Sequence, residues 1–257
     1  MNAPIGVFDS GVGGLTVWNA LVHLLDQEST IYYCDSAYAP YGNRSKEEIL
    51  ERSIKATEFL IDKGCKLILV ACNTATTNAI AELRSMYPHP FVGIEPAIKP
   101  AVLMTKTGKV GVLATKGTLY SSMFHKTVTD YTSGIELITQ EGTGLVEAIE
   151  SVEDKSKELL RLLDSYLQPM LKHNVDTLVL GCTHYPYLIP MIESLFQSKL
   201  RIIESSLPVA LQVKKRLEEI KALTSSNKAS HQFYTTGDLE LLKRFVPQSL
   251  QENCYLL

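Results

Sequence analysis

Short apolar runs rich in Val, Ile and Leu alternate along this chain with longer stretches whose apolar residues recur at helical spacing. The runs are Ile5–Phe8, Ile31–Cys34, Lys66–Ala71, Phe91–Ile94, Lys109–Ala114, Gly134–Thr139, Thr177–Gly181, Leu200–Glu204 and His231–Thr235. A strand buried on both faces is apolar throughout, and strands separated by helices pair in parallel, because a parallel connection needs a long crossover. The pattern therefore predicts an α/β fold of mostly parallel sheet flanked by helices. Ser45 followed by Glu48 forms a capping box that opens one helix, which carries Ile49, Ile54, Leu60 and Ile61, and Gly64 suits its C-terminal end. Other helices are expected over Thr74–Tyr87, Gly117–Tyr131, Asp154–His173 with a kink at Pro169, Pro186–Gln197, Pro208–Leu223 and Asp238–Phe245. Thr224–Ser230 (TSSNKAS) reads as a polar linker.

The chain also echoes itself. IGVFDSGVGGLT from Ile5 is matched by VGVLATKGTLYS from Val110, and KLILVACNTATT from Lys66 by DTLVLGCTHYPY from Asp176. The offsets of 105 and 110 residues point to two pseudo-symmetric lobes of one plan.

Composition removes several classes. At 257 residues and 45% hydrophobic the chain is neither disordered nor fibrous. A net charge of -3 gives no global positive field to hold a polyanion, so nucleic acid is excluded as a partner. No apolar run nears the roughly 20 residues that cross a bilayer, and strand-like sequence starts at Ile5, without room for a secretory signal. A cytoplasmic protein with no membrane partner is expected. Five scattered cysteines, an odd number with no CxxC pair, suggest neither a disulfide framework nor a structural zinc, so no metal is expected.

In open parallel sheets ligands sit beyond the carboxyl ends of the strands, and all four echoed loops lie there. The first offers Asp9 and Ser10 ahead of Gly11, Gly13 and Gly14; the second Cys72, Asn73 and Thr74; the third Thr115 and Thr118; the fourth Cys182, Thr183 and His184. A cysteine ending a strand is commonly core. Two of them at matching places in similar halves instead suggest a pair of working thiols, while Cys34, Cys65 and Cys254 lack that setting. His184, two residues past Cys182, suits a partner that helps form or hold a thiolate. Asp9 reads either as a helix cap or as a chemical group. GVGGLT followed by Asp35 mimics a dinucleotide fingerprint, although Thr16 stands where its third glycine belongs. Tyr38–Arg44 (YAPYGNR) is either a plain turn or a lid that places Tyr41 over a ligand.

Two thiols flanking a small amino acid would allow one thiolate to take the Cα proton while the opposite thiol returns one to the other face. Such a site must stabilise a developing carbanion with short donors and exclude water.

Together DSGVGGL, PYG, ACNTA and GCTHYP, in this order, resemble the cofactor-independent racemases of the aspartate/glutamate superfamily, and within it those acting on glutamate. The resemblance spans essentially the whole chain. It implies that Cys72 is the base toward D-glutamate and Cys182 the base toward L-glutamate, with Asp9 and His184 assisting and no cofactor. It implies that Ser10, Pro40, Tyr41, Gly42, Asn73, Thr74, Thr115, Thr118 and Thr183 hold the substrate alongside those four residues. GTGLVEAIES, residues 142–151, matches a family segment in which an acid partners the active-site His. Glu150 takes that acid's place, while Glu147, standing where the family has Pro, competes for the role. The implied lobes are residues 1–97 with 208–257, and residues 98–207, with the site in the cleft between them and lobe closure over the substrate. D-glutamate is a peptidoglycan precursor, so a role in cell-wall synthesis is implied. Activation through an N-terminal extension is expected to be absent, and a homodimer is compatible with the sequence.

Other readings remain. An aspartate racemase shares the plan, although His184 stands where aspartate-type relatives place Glu. Cys182 and His184 could serve a thiol hydrolase with Cys72 structural. A two-lobed binding protein would bind an amino acid and exchange no Cα hydrogen.

Overall fold

The computed structural model describes residues 3–197, 199–225 and 228–257. The first half runs β1 (Ile5–Asp9), α1 (Leu15–Leu24), β2 (Thr30–Cys34), α2 (Lys46–Asp62), β3 (Leu67–Val70), α3 (Asn73–Met86), β4 (Phe91–Gly93) and α4 (Ile98–Met104). There follow β5 (Lys109–Ala114), α5 (Lys116–Leu119), α6 (Ser122–Tyr131), β6 (Glu136–Glu141), α7 (Leu145–Glu150), α8 (Ser156–Lys172), β7 (Thr177–Gly181), α9 (Ile189–Phe196) and β8 (Arg201–Ile203). The chain ends with α10 (Ser206–Glu219), β9 (His231–Thr235), α11 (Leu239–Phe245) and β10 (Cys254–Leu256).

Two sheets result, in the orders β10-β9-β2-β1-β3-β4 and β6-β5-β7-β8, and the strand pairs in both are parallel. The order β2-β1-β3-β4 recurs as β6-β5-β7-β8, so the echo in the sequence is an echo of topology. β1 and β3 are neighbours in register from Ile5 opposite Leu67 to Phe8 opposite Val70. β5 and β7 are neighbours from Val110 opposite Thr177 to Ala114 opposite Gly181. The four candidate loops therefore leave adjacent central strands at the same end.

Alternation along the strands divides the core between the two faces. Ile5, Val7, Leu67 and Leu69 join Val17, Leu21 and Val213 of α1 and α10 on one face of the first sheet. Phe8, Ile68, Val70 and Cys72 join Leu60, Ile80 and Leu83 of α2 and α3 on the other. In the second sheet Leu178, Leu180 and Cys182 pack with Leu163 and Leu167 of α8. Each cysteine thus continues the inward side of its strand.

Ser45 caps α2 by accepting from the Glu48 amide at 3.2 Å, and Gly64 beyond its end has φ +77°, as the sequence predicts. The helix expected over Gly117–Tyr131 is instead two, because the Ser121 hydroxyl caps a fresh start at the Phe124 amide, 3.2 Å away. The strand expected from Gly134 begins at Glu136, since Gly134 occupies a turn at φ +78°. α8 continues through Pro169 to Lys172. α4, α7 and β10 carry too few residues to show a period. Of the polar linker, residues 226–227 lie outside the described residues, as do Met1 and Asn2 ahead of the first strand.

Candidate active site

A narrow cavity is lined by Ser10, Pro40, Tyr41, Gly42, Cys72, Asn73, Thr74, Thr115, Val146, Cys182, Thr183 and His184. Apart from Val146, every lining residue is a candidate from the sequence. Asp9, Thr118 and Glu150 stand behind it and touch its walls. Val146 comes from α7, which also carries Glu150 and whose six residues show no period in the sequence.

Cys72 is the cap residue of α3, and its sulfur accepts from the Ala75 amide at 3.5 Å. It also lies 3.6 Å from the Ser10 hydroxyl, which in turn donates to Asp9 Oδ1 at 3.3 Å. Burial pushes the Cys72 thiol well up and Asp9 adds to that, against the pull of the Ala75 and Ser10 donors. Cys72 is therefore a protonated thiol. Ser10, expected as a substrate contact, also links this thiol to Asp9.

Asp9 is fully buried. Its Oδ1 accepts from the Ser10 amide at 2.6 Å; its Oδ2 accepts from the Gly14 amide and from the Thr183 hydroxyl, the latter at 3.0 Å. The Gly14 bond is the capping role, and the Thr183 bond joins the residue to the fourth loop. Burial raises its carboxyl above the ordinary range, while the His184 charge, Cys72 and the hydrogen-bond donors offset part of the rise.

On the other side Cys182 Sγ lies 3.8 Å from His184 Nδ1, and His184 Nε2 lies 2.7 Å from Glu150 Oε1. Burial disfavours a charged imidazole, yet the Cys182 and Glu150 partners outweigh it and hold His184 well above its ordinary value. As an imidazolium it donates from both nitrogens. Burial acts to raise the Glu150 carboxyl, but His184 and the Val12 amide, 3.1 Å away, bring it below the usual value. Glu147 lines the neighbouring groove with Pro40, Thr115 and Lys116, and Glu150 alone of the two reaches His184.

The glycine run owes its composition to this arrangement. A Cβ on Gly11 would lie 2.3 Å from Glu150 Oε1, and one on Gly13 2.3 Å from His184 Nδ1. Protein side chains thus fill the space that a dinucleotide's pyrophosphate would need, and Asp35 is bound to Arg52. The remaining wall is polar. The Thr74, Thr115 and Thr118 hydroxyls form a triangle with sides of 2.8, 3.1 and 3.3 Å. Asn73 Oδ1 is buried without a hydrogen-bond partner, an acceptor left for a donor in the cavity. Tyr41 lines the cavity with its ring buried, and its phenol donates to Asp35 Oδ2 at 2.5 Å.

Two parallel sheets of like strand order with one thiol each at a shared polar cavity define a racemase-type α/β protein, and the chain belongs to the Asp/Glu/Hydantoin racemase family, whose family model matches residues 5–212. A glutamate racemase of Stutzerimonas stutzeri is 43% identical over 252 residues, 98% of this chain and 95% of that one. Among solved structures, a glutamate racemase isoform of Bacillus anthracis superposes with a TM-score of 0.88 at 32% identity, covering 99% of this chain and 96% of its own. The Escherichia coli glutamate racemase, solved in complex with L-glutamate and the activator UDP-MurNAc-ala, gives 0.86 at 31%, covering 99% and 98%.

Proposed function

We propose that this protein interconverts L- and D-glutamate by moving the Cα proton between two thiols. The observation that carries the reading is the placing of Cys72 and Cys182, one from each sheet, on one cavity, and the near full-length likeness to glutamate racemases supports the substrate. With L-glutamate bound, the Cys182 thiolate takes the Cα proton as the Cys72 thiol delivers its own to the opposite face; the reverse direction exchanges the roles. The C–H bond broken and the C–H bond formed balance, leaving the proton on Cys182 and the charge on Cys72. His184, donating toward Cys182, and Asp9, reached from Cys72 through Ser10, then serve opposite halves of the cycle. Asn73 Oδ1 suits the substrate ammonium, and the three threonine hydroxyls suit a carboxylate. This chemistry needs no cofactor, because the developing charge is met by fixed donors in a water-poor site.

On this reading residues 1–97 with 208–257 form one lobe and 98–207 the other, supported by β9 and β10 joining the first sheet. The product would supply peptidoglycan synthesis. Two working thiols among five free cysteines fit the reducing cytoplasm. Among the described residues no helix is long and apolar enough to cross a membrane.

Proton NMR of L- and of D-glutamate in D2O, with chiral chromatography, tests the proposal: the Cα signal is lost and the antipode appears from either side. Exchange of aspartate alone would change the substrate and keep the mechanism. The chain Cys182–His184–Glu150 also has the order of nucleophile, base and orienting acid found in thiol hydrolases. Substitution separates the two readings. Cys72→Ser and Cys182→Ser are each expected to lower racemisation by about 10^2–10^4-fold, whereas a hydrolase would keep full activity after Cys72→Ser.

A further inference from the structure

The Asp35 carboxylate, fully buried just past β2, accepts four hydrogen bonds. Arg52 Nε and Nη2 donate at 2.8 and 2.6 Å, the Tyr41 phenol at 2.5 Å and the Thr236 hydroxyl at 2.9 Å. The Asp35 amide donates to the Asp9 carbonyl at 3.0 Å, so the group is fastened to the strand that carries Asp9. Arg52, buried on α2, turns the edge of its guanidinium to Asp35 and its face to Tyr38, whose ring centroid is 3.6 Å away. Arg44 Nε donates to the Tyr38 carbonyl and its guanidinium pairs with Glu48.

Besides these attachments the segment is tied at its start, where the Ser36 and Thr235 hydroxyls share a hydrogen bond at 2.8 Å and the Ala37 amide donates to the Thr236 hydroxyl at 3.2 Å. Residues 36–43 form two short 3-10 turns and join neither sheet. Yet Pro40, Tyr41 and Gly42 are one wall of the cavity. Tyr41 belongs to the same buried cluster as Cys72. Gly42 abuts the second sheet's loop, where a Cβ would come within 2.8 Å of Thr115 Cβ. A buried ion pair adds little net stability over apolar packing, but its forked geometry fixes orientation.

We propose that Arg52 is a positioning residue: through Asp35 it fixes the Tyr41 phenol and so holds the 40–42 wall closed over Cys72. Its effect on glutamate binding rests on the racemase reading; the cover over Cys72 does not.

The test uses the full chain with Arg52→Lys, Asp35→Asn and Tyr41→Phe, the last removing only the phenol bond. Without glutamate, alkylation by iodoacetamide is followed at each cysteine by peptide mass spectrometry. Cys72 is expected to react about tenfold faster in each variant, the effect of losing one hydrogen bond to a charged group. Cys65 is the internal control: it shares the cluster, is 3% exposed, and burial pushes its thiol up to about 12. An unchanged Cys72, or an equal rise at Cys65 that marks general loosening, overturns the proposal. With glutamate, KM for both enantiomers is expected to rise about tenfold while kcat changes far less; a fall in kcat at constant KM overturns the binding role. Should the wild-type protein leave glutamate untouched, the racemase reading fails while the contrast between Cys72 and Cys65 still decides the wall. Should Asp35→Asn not fold, Tyr41→Phe carries the test.

Discussion

Gly13 faces the His184 imidazole so closely that a methyl group there would stand 2.3 Å from Nδ1 and 2.6 Å from Cε1. The ring has little freedom to yield, since Cys182 and Glu150 engage its two nitrogens. Gly13→Ala is expected to keep the fold and to lower glutamate turnover by about 100-fold, the cost of misplacing a working group by about 1 Å. Thermal unfolding and Cα deuterium exchange on one preparation check this, and unaltered exchange would show that the ring moves freely.

The charge on His184 predicts a pH dependence. Because its titration in the folded protein lies well above the ordinary value, the stabilisation it contributes is full below about pH 6.5 and fades as pH rises through the raised value. Glu150→Gln removes the carboxylate that helps hold the charge, so the alkaline limb of the kcat profile is expected to move to lower pH. Glu147→Gln, with its side chain in the neighbouring groove, is expected to leave that limb in place. Profiles of the two variants measured together decide the matter, and identical limbs would remove Glu150 from this role.

Thr183→Val keeps the side chain's shape and deletes the 3.0 Å donor to Asp9. A hydrogen bond to a charged group is worth about 1.5–3 kcal/mol, so a loss of that order is expected in urea unfolding at neutral pH. The Asp9 carboxyl already lies above its ordinary value through burial, and losing a donor raises it further. The deficit should shrink at acid pH, where the group is protonated in folded and unfolded chains alike. A deficit independent of pH would mean that Asp9 does not feel the hydroxyl.

At the far end of the first sheet Lys66 donates to Glu28 at 2.6 Å, to the Ala222 carbonyl at 2.7 Å and to Thr224 at 3.1 Å, with both charged groups nearly buried. Lys66→Met leaves Glu28 buried without its cation and is expected to cost about 3–5 kcal/mol in chemical denaturation. Pairing it with Glu28→Gln should recover most of the loss. Turnover per folded molecule should stay unchanged, since Lys66 precedes β3 and Cys72 follows it.

The parallel fold was legible because strands buried on both faces leave uninterrupted apolar runs, and four of the site's loops were legible because they follow such runs directly. The two cysteines stood out only through the echo between halves. Other parts were hidden for physical reasons. α7, which brings Glu150 to His184, has six residues and shows no period. β10 leaves Tyr255 and Leu256 exposed and reads as a tail. The bond between Asp35 and Arg52 joins residues 17 apart through a turn whose path no local signal records. The segment around Tyr41 is legible as a turn or a lid, but which end of Tyr41 meets the cavity depends on Asp35, which takes its hydroxyl. That β9 and β10 join the first sheet is not legible in local pattern, because strand order is set by contacts remote in sequence.

The strand order also bears on how a nascent chain acquires this structure. β2 is paired on one side with β1, but its other neighbour, β9, begins only at His231, after the entire second sheet. At about 5–20 residues per second, roughly ten to forty seconds of synthesis separate the two. Throughout that interval β2 exposes an unpaired edge, the kind of surface that recruits other strands. A chain interrupted before β9 would thus carry the strands β2-β1-β3-β4 with an open aggregation edge, and β9 acts as its seal.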